Sequence, residues 1–144
     1  IGTGGANIAT AAALAHVWGY GVGVDLTRRD RQAEAKKAGA PWDTAKGFDH
    51  SAPISALTPV ASAGDIANAR IWLKVNGETR QDASTHDMIW NVPEIIAALS
   101  AWWELKPGDL IFTGSPSGVS ALERGDQIEC GVAGLAPLNF SLGR

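Results

Sequence analysis

An α+β domain built on an antiparallel or mixed, rolled sheet is what this sequence predicts, on three observations. Asn76-Gly77 separates two segments of strand character, the strongest short-range hairpin signal in the chain. The remaining candidate strands are short and bounded by turn residues, and no regular βαβ alternation joins them. Val92, Ile95, Ile96, Leu99 and Trp103 repeat at the helical period, so an amphipathic helix lies against that sheet.

In chain order, Ile8 to Trp18 is alanine-rich and predicts a helix, with Gly19 available as a left-handed C-cap. Gly21 to Val24 reads as a short buried strand ending at Asp25, and Thr27 is a candidate cap for a second helix running to about Ala38. Gly39-Ala40-Pro41 stops that helix, and Trp42 to Pro59 is irregular, a length of loop that is often functional. Ala69 to Val75 and Glu78 to Ala83 form the hairpin, with Ile71, Leu73 and Val75 on its buried face. In the Val92–Trp103 helix, Pro93 falls near the start, where its missing N–H is harmless. Pro107-Gly108 is a turn, Asp109 to Thr113 a strand and Gly114-Ser115-Pro116 a loop. Gln127 to Val132 and Leu138 to Leu142 close the sheet.

With 144 residues and 45% hydrophobic content, the chain supports one domain with a real core. A net charge of -3, with 12 scattered basic residues, argues against a nucleic-acid partner. The longest apolar run, Ile8 to Tyr20, is too short to span a bilayer, so no membrane association is expected. Cys130 stands alone, which excludes an intrachain disulfide and a cysteine-based zinc site and makes a reducing cytoplasm the default location. Ile1-Gly2-Thr3-Gly4-Gly5 reads as a strand tail entering a turn, so the expectation is a fragment of a longer polypeptide.

Chemistry concentrates in Gly21 to Gln32, where an apolar strand delivers Asp25 into a cationic helix. Arg29, Gln32 and Lys36 share one helical face and can converge on an anion, with Asp25 beside them as a metal-binding carboxylate. The bland alternative is a carboxylate satisfied by the helix dipole with solvated basic residues behind it. Lys46, in Ala45 to Pro53, is either a charge stabiliser beside a metal-bound carbonyl or a surface lysine paired with Asp43 or Asp49. Thr113 and Gly114 offer a hydroxyl and bare backbone N–H groups to a carboxylate, or form an ordinary small-residue turn.

Other features carry structure rather than chemistry. His16 is a structural residue, and His86-Asp87 is a helix cap or a dimer contact. The six tryptophans are core and interface material, and Cys130 is a buried residue rather than a nucleophile. Walker, GxGxxG, GxSxG and HExxH motifs are all absent.

Six segments, GYGVGVDLTRRDRQ, AKGFDHSAPIS, KVNGETRQ, HDMIWNVPEIIAALS, LKPGDLIFTGSPSGV and RGDQIECGV, agree in order and spacing with the fumarylacetoacetate hydrolase family. Together they make nearly the whole chain resemble its catalytic domain. KGFDHSAPIS and VNGETRQ are most similar to the fumarylpyruvate hydrolase and acylpyruvase branch.

The resemblance implies a mixed β-sandwich roll with peripheral helices, a divalent metal (Mg2+ or Mn2+), a diketo acid substrate and a homodimer. By the same resemblance Asp25 is a metal ligand, Arg29 and Gln32 bind substrate, Lys46 is catalytic, and Thr113 with Gly114 holds the substrate carboxylate. The implied reaction is hydrolysis of a carbon–carbon bond in an acylpyruvate, fumarylpyruvate to fumarate and pyruvate. The alternatives are isomerisation or decarboxylation of hydroxylated dienedioates, and a truncated module without activity.

The chain departs from the family pattern in what it lacks. The family's Glu-x-Glu metal pair and water-activating His-x-x-Glu occur nowhere in residues 1 to 144, which implies that they lie upstream. Ser115, Ser117 and Ser120 also differ from the usual loop residues.

Overall fold

The computed structural model describes residues 1–143. Its centre is a four-stranded antiparallel sheet in the order β4-β3-β5-β6, where β3 is Arg70–Val75, β4 Glu78–Ser84, β5 Gln127–Val132 and β6 Leu138–Ser141. A separate two-stranded ladder joins β1, Gly19–Tyr20, to β2, Thr58–Pro59. The α+β class stands, and all the described pairings are antiparallel.

The hairpin forms as its turn dictates: Asn76 and Gly77 take φ of 52° and 82°, the left-handed values that this dipeptide tolerates. Val75 is buried, and Ile71 and Leu73 are partly covered. Beyond Tyr20 the chain stays extended and runs antiparallel to residues 51–55. Ser55 N donates to the Val22 carbonyl (2.8 Å), Val24 N to Pro53 (3.0 Å) and Leu26 N to Ser51 (2.9 Å). Only one isolated bridge, Gly23 to Ile54, is regular there, so the expected 21–24 strand is an extended strap. Val22 packs with Cys130 and Leu138 on the sheet, and Val24, Leu73 and Phe140 surround them.

The first expected helix is shorter and tighter than its composition suggests, a 3-10 helix over Thr10–His16. Ile8 N donates to Ser100 Oγ (2.9 Å) at its entry and Gly2 N to the His16 carbonyl (2.8 Å) at its exit. Held between these ties, Ala13 is pressed to 0% exposure. The helix ends on Val17, and Gly19 belongs to β1 rather than to a cap. His16 is structural, its Nδ1 2.8 Å from the Thr3 carbonyl oxygen.

Helix α1, Arg29–Ala38, closes on Gly39 in the left-handed conformation, as expected, but Thr27 does not cap it. Its N-cap is Arg28, without a side-chain bond. The irregular stretch that follows contains one turn of helix, α2, Asp43–Lys46. Helix α3, Val92–Ser100, has a capping box between Asn91 and Glu94, then stops short of Trp103 because the Trp102 and Trp103 amides turn back onto the Leu99 carbonyl. It packs on the 3-10 helix through Ile8, Ala13, Ile96 and Leu105 rather than on the sheet, because those residues fill its apolar stripe first.

Two further expectations fail for want of tertiary partners. Asp109 to Thr113 is extended but joins no ladder among the described residues, its backbone tie to another segment being the Asp109 carbonyl that accepts from the Ile1 amine at 2.8 Å, and Leu110 and Phe112 stay 53% and 44% exposed. Five tryptophans, Trp18, Trp42, Trp90, Trp102 and Trp103, are 42–82% exposed, so the core half of the core-and-interface expectation fails for them. Asp87 does cap the turn after β4, its carboxylate accepting from Ser84 N at 3.1 Å.

Cys130 is 3% exposed, and burial pushes its thiol up to about 11. At pH 8 the thiolate is then about a thousandth of the total. Iodoacetamide should therefore leave Cys130 unmodified in the folded protein and modify it once urea unfolds the chain; fast labelling under native conditions would contradict this burial.

Candidate active site

The extended strap carries Asp25 off the sheet because Val22 and Val24 are anchored in the core below it. Helix α1 begins four residues later, and α2 returns alongside, with Arg28 N donating to the Ala45 carbonyl at 3.0 Å. That bond brings Lys46 across the chain. Its Nζ donates to Asp25 Oδ2 at 2.6 Å and to Thr27 Oγ1 at 2.8 Å. Lys46 thus pairs with Asp25, neither with Asp43 nor with Asp49, and Thr27 serves the lysine instead of the helix.

Asp25 opens into a cleft of about 780 Å3. One wall is residues 22–30, the opposite wall Leu73, Arg80 and Gln81 of the hairpin, and the rim is Gly114 to Leu122. Arg28, Arg29, Arg80 and Arg124 line it against Asp25, Asp30 and Asp49, a slight cationic excess that suits a carboxylate ligand. Arg28 also stacks over Phe48 at 4.4 Å, which stiffens this wall.

Three expected residues stand off the cleft surface. Gln32 is 9% exposed and its Oε1 accepts from Arg29 Nη1 at 2.9 Å, so it holds the arginine in place. Lys46 stands behind Asp25. Thr113 lines an adjoining apolar groove of about 600 Å3, while Gly114 borders both spaces. Lys36 has turned away to lie 5.2 Å over the Trp42 ring. Phe112 packs on Gly23, where any Cβ would lie 2.7 Å from Phe112 Cε1, and this contact brings Thr113-Gly114 to the Asp25 strap.

Three contributors escaped sequence reasoning: Thr27 as a lysine partner, Arg28 with Phe48, and Gln81. The only advance signal was their place inside the quoted motifs.

Hard divalent cations take six or more oxygen ligands, carboxylates prominent among them. Asp25 is one carboxylate, and among the described residues no three of His, Cys, Asp or Glu could hold a metal ion together. The residues of this chain alone do not fit a complete metal centre. Nor does any histidine line the cleft.

The family described as fumarylacetoacetate (FAA) hydrolase C-terminal matches residues 1–142. Mitochondrial oxaloacetate tautomerase of Rattus norvegicus is 44% identical over 144 residues, all of this chain and 65% of that protein. The chain thus spans about 65% of the length of that curated relative. Fumarylpyruvate hydrolase of a Ralstonia species is 41% identical over 143 residues, covering 99% of this chain and 74% of that one. The crystal structure of fumarylpyruvate hydrolase from Pseudomonas aeruginosa with Mn2+ and pyruvate superposes with a TM-score of 0.96 at 45% identity, covering 99% of this chain and 61% of that one. A Burkholderia cenocepacia protein is similar at 59% identity and TM-score 0.97, over 99% of this chain and 64% of that one.

Proposed function

Because this chain belongs to the fumarylacetoacetate hydrolase family, we propose that it supplies one half of an active site that hydrolyses the carbon–carbon bond of an acylpyruvate, with fumarylpyruvate as substrate. The observation that carries this reading is the Lys46 ammonium fixed on Asp25 and Thr27, two residues that line the cleft bearing Arg29. An acylpyruvate carries negative charge on its keto-acid end, and cleavage places more there. Arg29, steadied by Gln32, neutralises the incoming carboxylate, while the Gly114 N–H, on the cleft border, orients it. Water adds its hydroxyl to the distal carbonyl, the bond to the methylene carbon breaks, and the electron pair passes into the pyruvate enolate, which then takes a proton. Lys46 Nζ is the cation within this chain that stabilises that developing enolate.

A divalent metal, magnesium or manganese, belongs to the same proposal: Asp25 would share it with carboxylates from outside residues 1–144, and the histidine–glutamate pair that activates water would come from there too. The Mn2+ and pyruvate bound by the P. aeruginosa relative support this. A homodimer and a cytoplasmic location complete the proposal. No helix among the described residues is long and apolar enough to cross a membrane.

The similarity to rat oxaloacetate tautomerase supports a second reaction on the same clamp, proton transfer between keto and enol forms without cleavage. Product analysis separates the two. The intact protein with magnesium should bleach fumarylpyruvate and release pyruvate and fumarate in equal amounts. Recovery of an isomer, or of carbon dioxide, in place of pyruvate would overturn the hydrolase proposal.

A further inference from the structure

Resting on the reading that Gly114 receives the substrate carboxylate, we propose that Gln81 is the positioning residue that sets this loop. In the hairpin Leu73 faces Gln81 but Lys74 faces Thr79, so Arg80 is an extra residue in β4, a bulge. Bulges break the pleat alternation and re-aim side chains, often beside active sites. Here Gln81 Nε2 reaches out of the sheet and donates to the Pro116 carbonyl at 2.9 Å, across 35 residues of sequence.

Among the described residues this is the only hydrogen bond that ties the 110–122 segment to anything else. A second, steric hold lies beside it. Gly118, at φ 98°, rests on the bulge so closely that a Cβ would collide with the Arg80 carbonyl oxygen. Pro116 is two residues beyond Gly114, so the amide of Gln81 anchors the loop close to the Gly114 N–H. A loop rich in glycine and serine has little stiffness of its own, and losing its single polar tether raises the entropy that substrate binding must remove.

Gln81→Met keeps the length and removes the donor. In the intact protein it should raise KM for fumarylpyruvate about tenfold while kcat falls less than about threefold, and limited proteolysis within residues 114–122 should quicken about tenfold. Unchanged KM and unchanged cleavage in that variant would overturn the role of Gln81. Should Gln81→Met fail to fold, Gln81→Glu provides the test. Its carboxyl donates to Pro116 only when protonated, so its KM relative to wild type should fall as pH drops from about 8 to about 5; a flat ratio overturns the proposal. Proteolysis reads the loop whatever the reaction. Faster cleavage with unaltered KM would therefore reject the substrate role of Gly114 and leave the tether standing.

Discussion

Asp25→Ala lowers kcat/KM by about 100- to 1,000-fold, the loss typical when a preorganised charge is removed from a reacting centre. The carboxylate has two jobs in the proposed site. It contributes to the metal, and it holds Lys46 Nζ at 2.6 Å, leaving Thr27 as the lysine's remaining partner once it is gone. Stability barely responds, because the two side chains are 46% and 35% exposed and such pairs contribute at most about 1 kcal/mol. Steady-state kinetics on the intact protein, with urea unfolding in parallel, tests both halves. Asp43→Ala, which removes an acid outside the cleft, is the control. Wild-type turnover in Asp25→Ala would sink the site assignment, and equal losses in both variants would point to general disruption.

Ile96→Ala produces the largest change in stability, about 2–5 kcal/mol, equivalent to a fall in Tm of roughly 10 °C. Ile96 is 2% exposed and packs with Ile8, Ala13 and Leu105 where α3 meets the 3-10 helix. Truncation leaves a cavity that cannot readily collapse, since the 3-10 helix is tied at both ends. Ile96 lines the apolar groove beside Thr113 and not the Asp25 cleft. Calorimetric unfolding of the variant measures the loss. A loss below about 1 kcal/mol would mean that this cluster is not closely packed.

Elements governed by neighbouring residues were legible in the sequence. The Asn76-Gly77 turn, the Gly39 stop of α1 and the start of α3 at Val92 each follow from the dihedral preference or capping group of one or two residues. Elements decided by distant partners were not. Alanine content suggested an α-helix where ties to Ser100 and Gly2 yield a 3-10 helix, and Asp109 to Thr113 has strand composition with no strand beside it. Tryptophan signals burial only where surrounding surface is available to cover it, and Trp102 is 82% exposed.

The candidate site divides in the same way. By itself, the sequence determined the residue types and the family, because the motifs lie within short contiguous segments and their order survives any error in placing strands. Asp25, Arg29 and Lys46 were singled out at that level, although the partners offered to Lys46 were Asp43 or Asp49 and not Asp25. Only the tertiary structure decided that Lys46 bridges Asp25 and Thr27, that Gln32 braces Arg29, and that Gln81 holds Pro116. The Lys46 and Gln81 contacts span 19 to 35 residues. They form because the burial of Val22 with Cys130, Leu138 and Leu73 seats the strap on the sheet, and Phe112 packing on Gly23 draws the loop to it, a non-directional force that local propensity does not encode.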